Sequence, residues 1–505
     1  MHHVTARIEE RKARVAAHPF YRWVSNGDAP LARRFDFAPV LANFIMAFAD
    51  MNKWFMRYAS PASDYERAIN KHTREDESHS RLYIEDWRKL GLDARLGWRA
   101  SDTLAWYYAS PETEAFREHG MDILRMLTEN EDPLVRFALM ESIEAWGHVM
   151  FSASSSAACE LSRTSGAEYH YFGPYHLKRE LGHLLAGGKL FERSSLDEGR
   201  RRRALALVDR LFDIAEAESD RLFEFAREVI ERGGGAPSVR DAVQHTRDSS
   251  VESPPRRAAE GPLSESAARV QRVLDARKRE AAGHPLFAWM RDARGAEPLA
   301  KLRHLALFWA PDCMGYRDLN AHALTYAAPG DARERAINRW VADLGTHHRL
   351  FLNDWTRLGL DERLGFSASD TLDFYCRSAH SEVQRQSMAS FVKLAFRHPA
   401  APLRFWLLEA LEASGEAFFD HTRRLAERVE SQGDLRLDYL AGRHDVSHRA
   451  LAADPEADAV RFKAVALDPH DEEAAVAMVN TVFDRLGQQF SASLEQATRD
   501  GFALD

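Results

Sequence analysis

Cysteine is nearly missing from this chain: Cys159, Cys313 and Cys376 are the only three among 505 residues. So few, so widely spaced, exclude a disulfide framework and a cysteine-based zinc site. Long apolar runs are missing too. No stretch approaches the ~18 residues of a membrane span, so no membrane partner is expected. Nor is there a basic excess. The 68 Lys and Arg stand against 77 Asp and Glu, a formal charge of −9, which argues against nucleic acid as a partner. The opening MHHVTARIEERKARV contains no apolar core of a signal peptide, and the expected location is cytoplasmic. Alternating strand patterns bounded by turn residues are also lacking.

What is present is a repeat. Twenty-two of the 39 residues in 66–104 are identical in 334–372, at a constant offset of 268. The same offset pairs Pro30 with Pro298, Glu144 with Glu412, Tyr171 with Tyr439 and His176 with His444. A period this long is a duplicated domain rather than a solenoid unit. Between the copies, 233–266 is rich in Gly, Pro, Ser and charge, which reads as a flexible linker. The expected domains are therefore 1–232 and 267–505, packed as an intramolecular pseudo-dimer. Apolar residues at three- and four-residue spacing predict helices over 4–24, 36–58, 63–90, 112–129, 133–160, 174–186 and 196–231. The fold class is all-α, with about seven helices per copy. Ser101 and Ser369, each before Asp-Thr-Leu, read as helix N-caps.

Chemistry concentrates in three segments. In His72-Thr-Arg-Glu-Asp-Glu-Ser-His79, a continuous helix would place His72, Asp76 and His79 within a ~60° arc. Glu75 competes with Asp76, because it stands four residues from His79 and suits a surface pair. The segment His176-Leu-Lys-Arg-Glu180-Leu-Gly-His183 repeats the spacing His-x3-acid-x2-His. Imidazole and carboxylate together are good ligands for divalent iron, manganese or zinc, and helix bundles build such sites from facing helices. The third segment offers Glu141, Glu144 and His148 among apolar neighbours; a buried Glu144 needs a partner, either a cation or an arginine such as Arg136.

The second copy departs at these positions. His72, Asp76, Glu180 and His183 are replaced by Trp340, Leu344, His448 and Leu451, while His347 and His444 remain. Apolar replacements are expected to close the site, leaving copy two as a non-catalytic partner. The aromatic residues Trp106, Tyr107 and Tyr171 are candidates for shaping a pocket or for filling the core. Arg200–Arg203 reads as a solvated helix face.

The His-Pro-Phe at 18–20, the Ser-His-x-x-Leu…Leu-Gly-Leu stretch at 78–92 and the late His-x3-Glu-x2-His together resemble the haem-oxygenase-like fold. More narrowly they resemble its non-haem diiron oxidase branch. The resemblance implies two tandem helical bundles, the first holding iron, as a pair or a single ion, with His176, Glu180 and His183 matching the late ligand triplet; the middle helix, where relatives carry a glutamate and a histidine, offers His72, Asp76 and His79, with Glu144 as a bridge. It implies dioxygen as co-substrate, an external electron donor and a small-molecule substrate such as an amine, amino acid or fatty acid. One departure is Met46, where relatives carry a glutamate, with Asp50 or Glu144 as substitutes. Two other readings stay open: a metal-free thiaminase-like or quinone-cofactor-biosynthesis-like enzyme, and a non-catalytic helical scaffold.

Overall fold

Short polar signals set where the helices begin. His18 precedes Pro19, and its Nδ1 accepts a bond from the Phe20 amide at 3.2 Å. Proline at the first helical position has no amide to waste. The expected helix 4–24 is therefore divided into α1 (His2–Ala16) and α2 (Pro19–Asn26). Asp132 caps α9 (Pro133–Ser165) by accepting from the amides of Leu134 and Val135 at 3.0 and 3.3 Å. Gly166, at φ +72°, ends α9 in the left-handed region that glycine tolerates without a side-chain penalty.

The computed structural model describes residues 1–179, 194–232, 263–292, 296–345, 347–433, 435–443 and 461–499. Among these residues there are helices and turns and no strand, so the described part of the chain is all-helical. Between α2 and α9 lie α3 (Ala38–Asp50), α4 (Asp64–Glu75), α5 (His79–Lys89), α6 (Leu92–Leu96), α7 (Ala100–Ala109) and α8 (Glu114–Glu129). No described helix is long and apolar enough to cross a membrane.

Two compact units result. The first is formed by the described residues of Met1–Trp98, Ser110–Ser238 and Ser367–Arg377; the second by those of Arg99–Ala109, Val239–Phe366 and Ser378–Asp505. Each unit thus takes one short helix from the other repeat. Hydrogen bonds explain the placement. In the first unit, Ser369 gives its amide and hydroxyl to Asp93 at 2.9 and 2.6 Å. In the second, Ser101 does the same to Asp361, at 2.9 and 2.5 Å. These serines are not the N-caps expected from sequence: Ser369 lies inside the helix Ala368–Cys376, which Ser367 caps. Ser101 likewise comes after the first residue of α7. At the end of the interval read as a linker, 263–266 is ordered, since Ser264 caps the helix Glu265–Ala282 and bonds to Val465 O at 2.9 Å. The rest, 233–262, lies outside the described residues.

In the first unit α9 is central, packing on α1, α2, α4 and the helix Glu198–Glu231, while α3 packs on α5 and α8. The core is rich in aromatics, with Phe20, Phe37, Tyr83, Trp87, Tyr171 and Phe172 all nearly sealed from solvent. Rings of this size bury about 150–250 Å² each. Arg200, in the helix Glu198–Glu231, donates to Asp132 at 2.8 Å and so ties that helix to the cap of α9.

Candidate metal centre

The segment 63–90 is not one helix. A 3-10 turn at Asp76–Ser78 separates α4 from α5. Three residues per turn instead of 3.6 change the phase of α5 relative to α4. The polar side chains are seen in two groups of contacts, one around His72 and Asp76 and one around His79, and a common cavity borders both.

In the first group, His72 Nε2 stands 3.2 Å from Asp76 Oδ2 and 3.2 Å from Glu144 Oε1 of α9. One ligand atom from each of these three residues lies within 4.8 Å of the others, and all three side chains are buried. Asp76 rather than Glu75 is the carboxylate that turns inward, at 1% exposure; Glu75 faces Lys71 at the surface. Burial pulls the His72 imidazolium down, but hydrogen bonds to Asp76 and Glu144 and their charges prevail and push it up to about 11. Glu141, one turn earlier on α9, is pushed up to about 7 by burial, against the pull of His72.

The second group is a pair of rings. His79 and His176 lie 4.4 Å apart between centroids, with Phe48 stacked on His79 and Phe151 packed on His176. His176 Nδ1 is 2.9 Å from the Tyr171 carbonyl. A carbonyl only accepts, so Nδ1 carries the proton and, in the neutral ring, Nε2 carries the lone pair. This is how a backbone acceptor orients a metal-binding imidazole. The turn before His176 is itself held: Asp86, fully buried, accepts from the amides of His170, Tyr171 and Phe172 at 2.9, 2.8 and 3.0 Å.

A narrow cavity of ≈ 50 Å³ connects the two groups, since His79 and Glu144 both line it. The rest of its wall is apolar, chiefly Leu41, Phe44, Phe48, Trp146 and Phe151. Tyr171 lines it as well. Trp106 and Tyr107 do not; they lie in α7, which belongs to the second unit, and Trp106 is buried core there. Arg136, the alternative partner for Glu144, instead directs its guanidinium to the carbonyls of Met56, Leu127 and Asn130. His148 is near Ser152 at the surface. Met46 is buried in α3, and Asp50 is not among the converging groups. Glu180 and His183 lie outside the described residues.

The second unit differs at the equivalent places. Trp340 packs against Phe405 at 5.9 Å, and Leu344 is buried. His347 stands 6.3 Å from Tyr439. His444, His448 and Leu451 lie outside the described residues. The replacements do not leave a filled core: a cavity of ≈ 110 Å³ persists, lined by Leu344, His347, Glu412 and Tyr439 together with new polar groups. Of these, Asp312 gives no signal in the sequence, because it is an isolated acid in an apolar helix with no motif around it.

Comparison with known proteins finds no family model that matches the chain and no match among curated proteins.

Proposed function

We propose that the first repeat is a non-haem iron oxidase or oxygenase, of the haem-oxygenase-like diiron type, acting with dioxygen on a small metabolite whose reacting end is apolar. The observation that carries this reading is the buried His72–Asp76–Glu144 cluster at the wall of an apolar cavity. An imidazolium between two carboxylates leaves one net negative charge in a buried place, which is costly. A divalent cation replacing the imidazolium proton brings the same three groups to neutrality. Nitrogen and oxygen donors of this kind suit iron, manganese or zinc; iron is chosen on the resemblance of the motifs. His79 and His176, with Glu180 and His183, complete the proposed ligand set.

When bound, iron supplies the binding and reduction of dioxygen, with electrons from an external donor. The chain's own residues do the rest. Phe44, Phe48, Trp146 and Phe151 exclude water and seat the apolar part of an amine, amino acid or fatty acid. Asp76 and Glu144 would hold the metal together with His72 and balance its charge. Glu141 lies one turn from Glu144 on α9, where burial favours the protonated form of its carboxyl.

The test is dioxygen uptake by the intact chain, loaded anaerobically with ferrous iron and mixed with reductant and a panel of the three substrate classes. Uptake above the substrate-free rate supports the reading. Iron retained without any dioxygen consumption overturns the oxidase assignment, and no metal retained favours a helical scaffold.

A further inference from the structure

The cavity of the second unit is polar where that of the first is apolar. At the 268-residue offset, Phe44, Ile45 and Trp146 correspond to Asp312, Cys313 and Ser414, and all six line their respective cavities. Two of the three metal-cluster positions change the opposite way, His72 to Trp340 and Asp76 to Leu344, while Glu144 is kept as Glu412. Asp312 is only 2% exposed. Its Oδ1 accepts from Gln489 Nε2 at 2.9 Å, while its Oδ2 has no hydrogen-bond partner among the described residues. Burial pushes this carboxyl up to about 7. Leaving a buried carboxyl oxygen unsatisfied is a substantial cost, which a ligand donor would offset.

The surroundings say which donor. Three acids, Asp312, Glu412 and Glu416, line the cavity, Glu416 being already paired with Lys278, and among the described residues no lysine or arginine lines it. Trp309, Phe418 and Tyr439 supply aromatic wall. Trp309 keeps its indole N–H without a partner among the described residues. A carboxylate set among aromatic faces is the chemistry that recognises an organic ammonium, through ion pairing and cation–π attraction.

We propose that the second repeat is a binding site for a small protonated amine, with Asp312 as its counter-ion and Trp309, Phe418 and Tyr439 as its walls. The volume sets the size. A cavity of about 150 Å³ suffices for benzene, so ≈ 110 Å³ admits a ligand of roughly five heavy atoms. This site does not depend on metal in the first repeat.

Isothermal titration of the intact chain with propylammonium and with its neutral isostere 1-propanol tests the proposal. Propylammonium should bind with a single site per chain and at least about tenfold more tightly than 1-propanol. Asp312→Asn should abolish that preference while leaving the helical circular-dichroism signal unchanged. Equal affinity for the two probes, binding of neither, or a preference that survives in Asp312→Asn overturns it. The contrast between the two probes on the unaltered chain decides the matter even if the variant folds poorly.

Discussion

His72 Nε2 lies 3.2 Å from Glu144 Oε1, an approach that joins the end of α4 to the middle of α9 inside the first unit. The contact makes α9 a wall of the cluster and places its carboxylate on the adjoining cavity. Glu144→Gln keeps the shape and removes the charge. We expect iron affinity to fall by more than the about 10–100-fold typical of losing an outer-shell partner. Without metal, the thermal midpoint of the same variant should hold or rise, because the net buried charge disappears. Metal content and a thermal melt on one preparation check both halves.

Asp86 and Asp354 are matched carboxylates with unmatched consequences. Asp354 accepts from the amides of Asp438, Tyr439 and Leu440 at 2.8, 2.9 and 2.9 Å, as Asp86 does from 170–172. Asn at either place presents an amide where a backbone N–H needs an acceptor, at a cost of about 2–4 kcal/mol in urea denaturation. Only Asp86→Asn should also weaken iron binding, because only that turn leads into His176.

The carboxyl of Asp312 gives a pH dependence of stability with a definite sign. Its ordinary value of 3.8 rises to about 7 on folding. Between these values the folded chain holds a proton that the unfolded chain has released, so this group's contribution to stability falls as pH rises from about 4 to 7. Asp312→Asn should therefore stabilise the protein more at pH 8 than at pH 5 in paired urea melts. His347, Glu412 and Glu416 line the same cavity in both proteins, so the difference isolates Asp312.

Asp93 and Asp361 hold the short helices that each unit takes from the other repeat. Ser369→Ala removes one hydroxyl bond and should cost about 1 kcal/mol. Asp93→Ala should cost more, since the same carboxylate also accepts from Trp87 Nε1 at 2.8 Å. Denaturation of the two variants beside the unaltered chain reads the difference.

The periodicity of apolar residues was sufficient to reveal helices and the duplication, because both are written in local spacing and in identity at one offset. His72, Asp76 and Glu144 were visible as polar types in apolar stretches, and they converge. Their grouping was not legible. A three-residue 3-10 turn leaves no mark on a periodic pattern, yet it separates α4, which carries His72, from α5, which carries His79. The helix at 368–376 reads like any other, and its membership of the first unit rests on Ser369 and Asp93, 276 residues apart. The cavity of the second unit was hidden for a similar reason. Trp340 and Leu344 indicate loss of polar groups, but Asp312 restores polarity from a different helix.

The most direct measurement is the iron retained by the intact chain after anaerobic loading and desalting, with His72→Ala measured alongside. At least about one equivalent should remain on the unaltered chain, and His72→Ala should lose it while keeping its helical content. An unaltered chain that retains no iron, or a His72→Ala variant that retains as much, would contradict a metal centre at His72, Asp76 and Glu144.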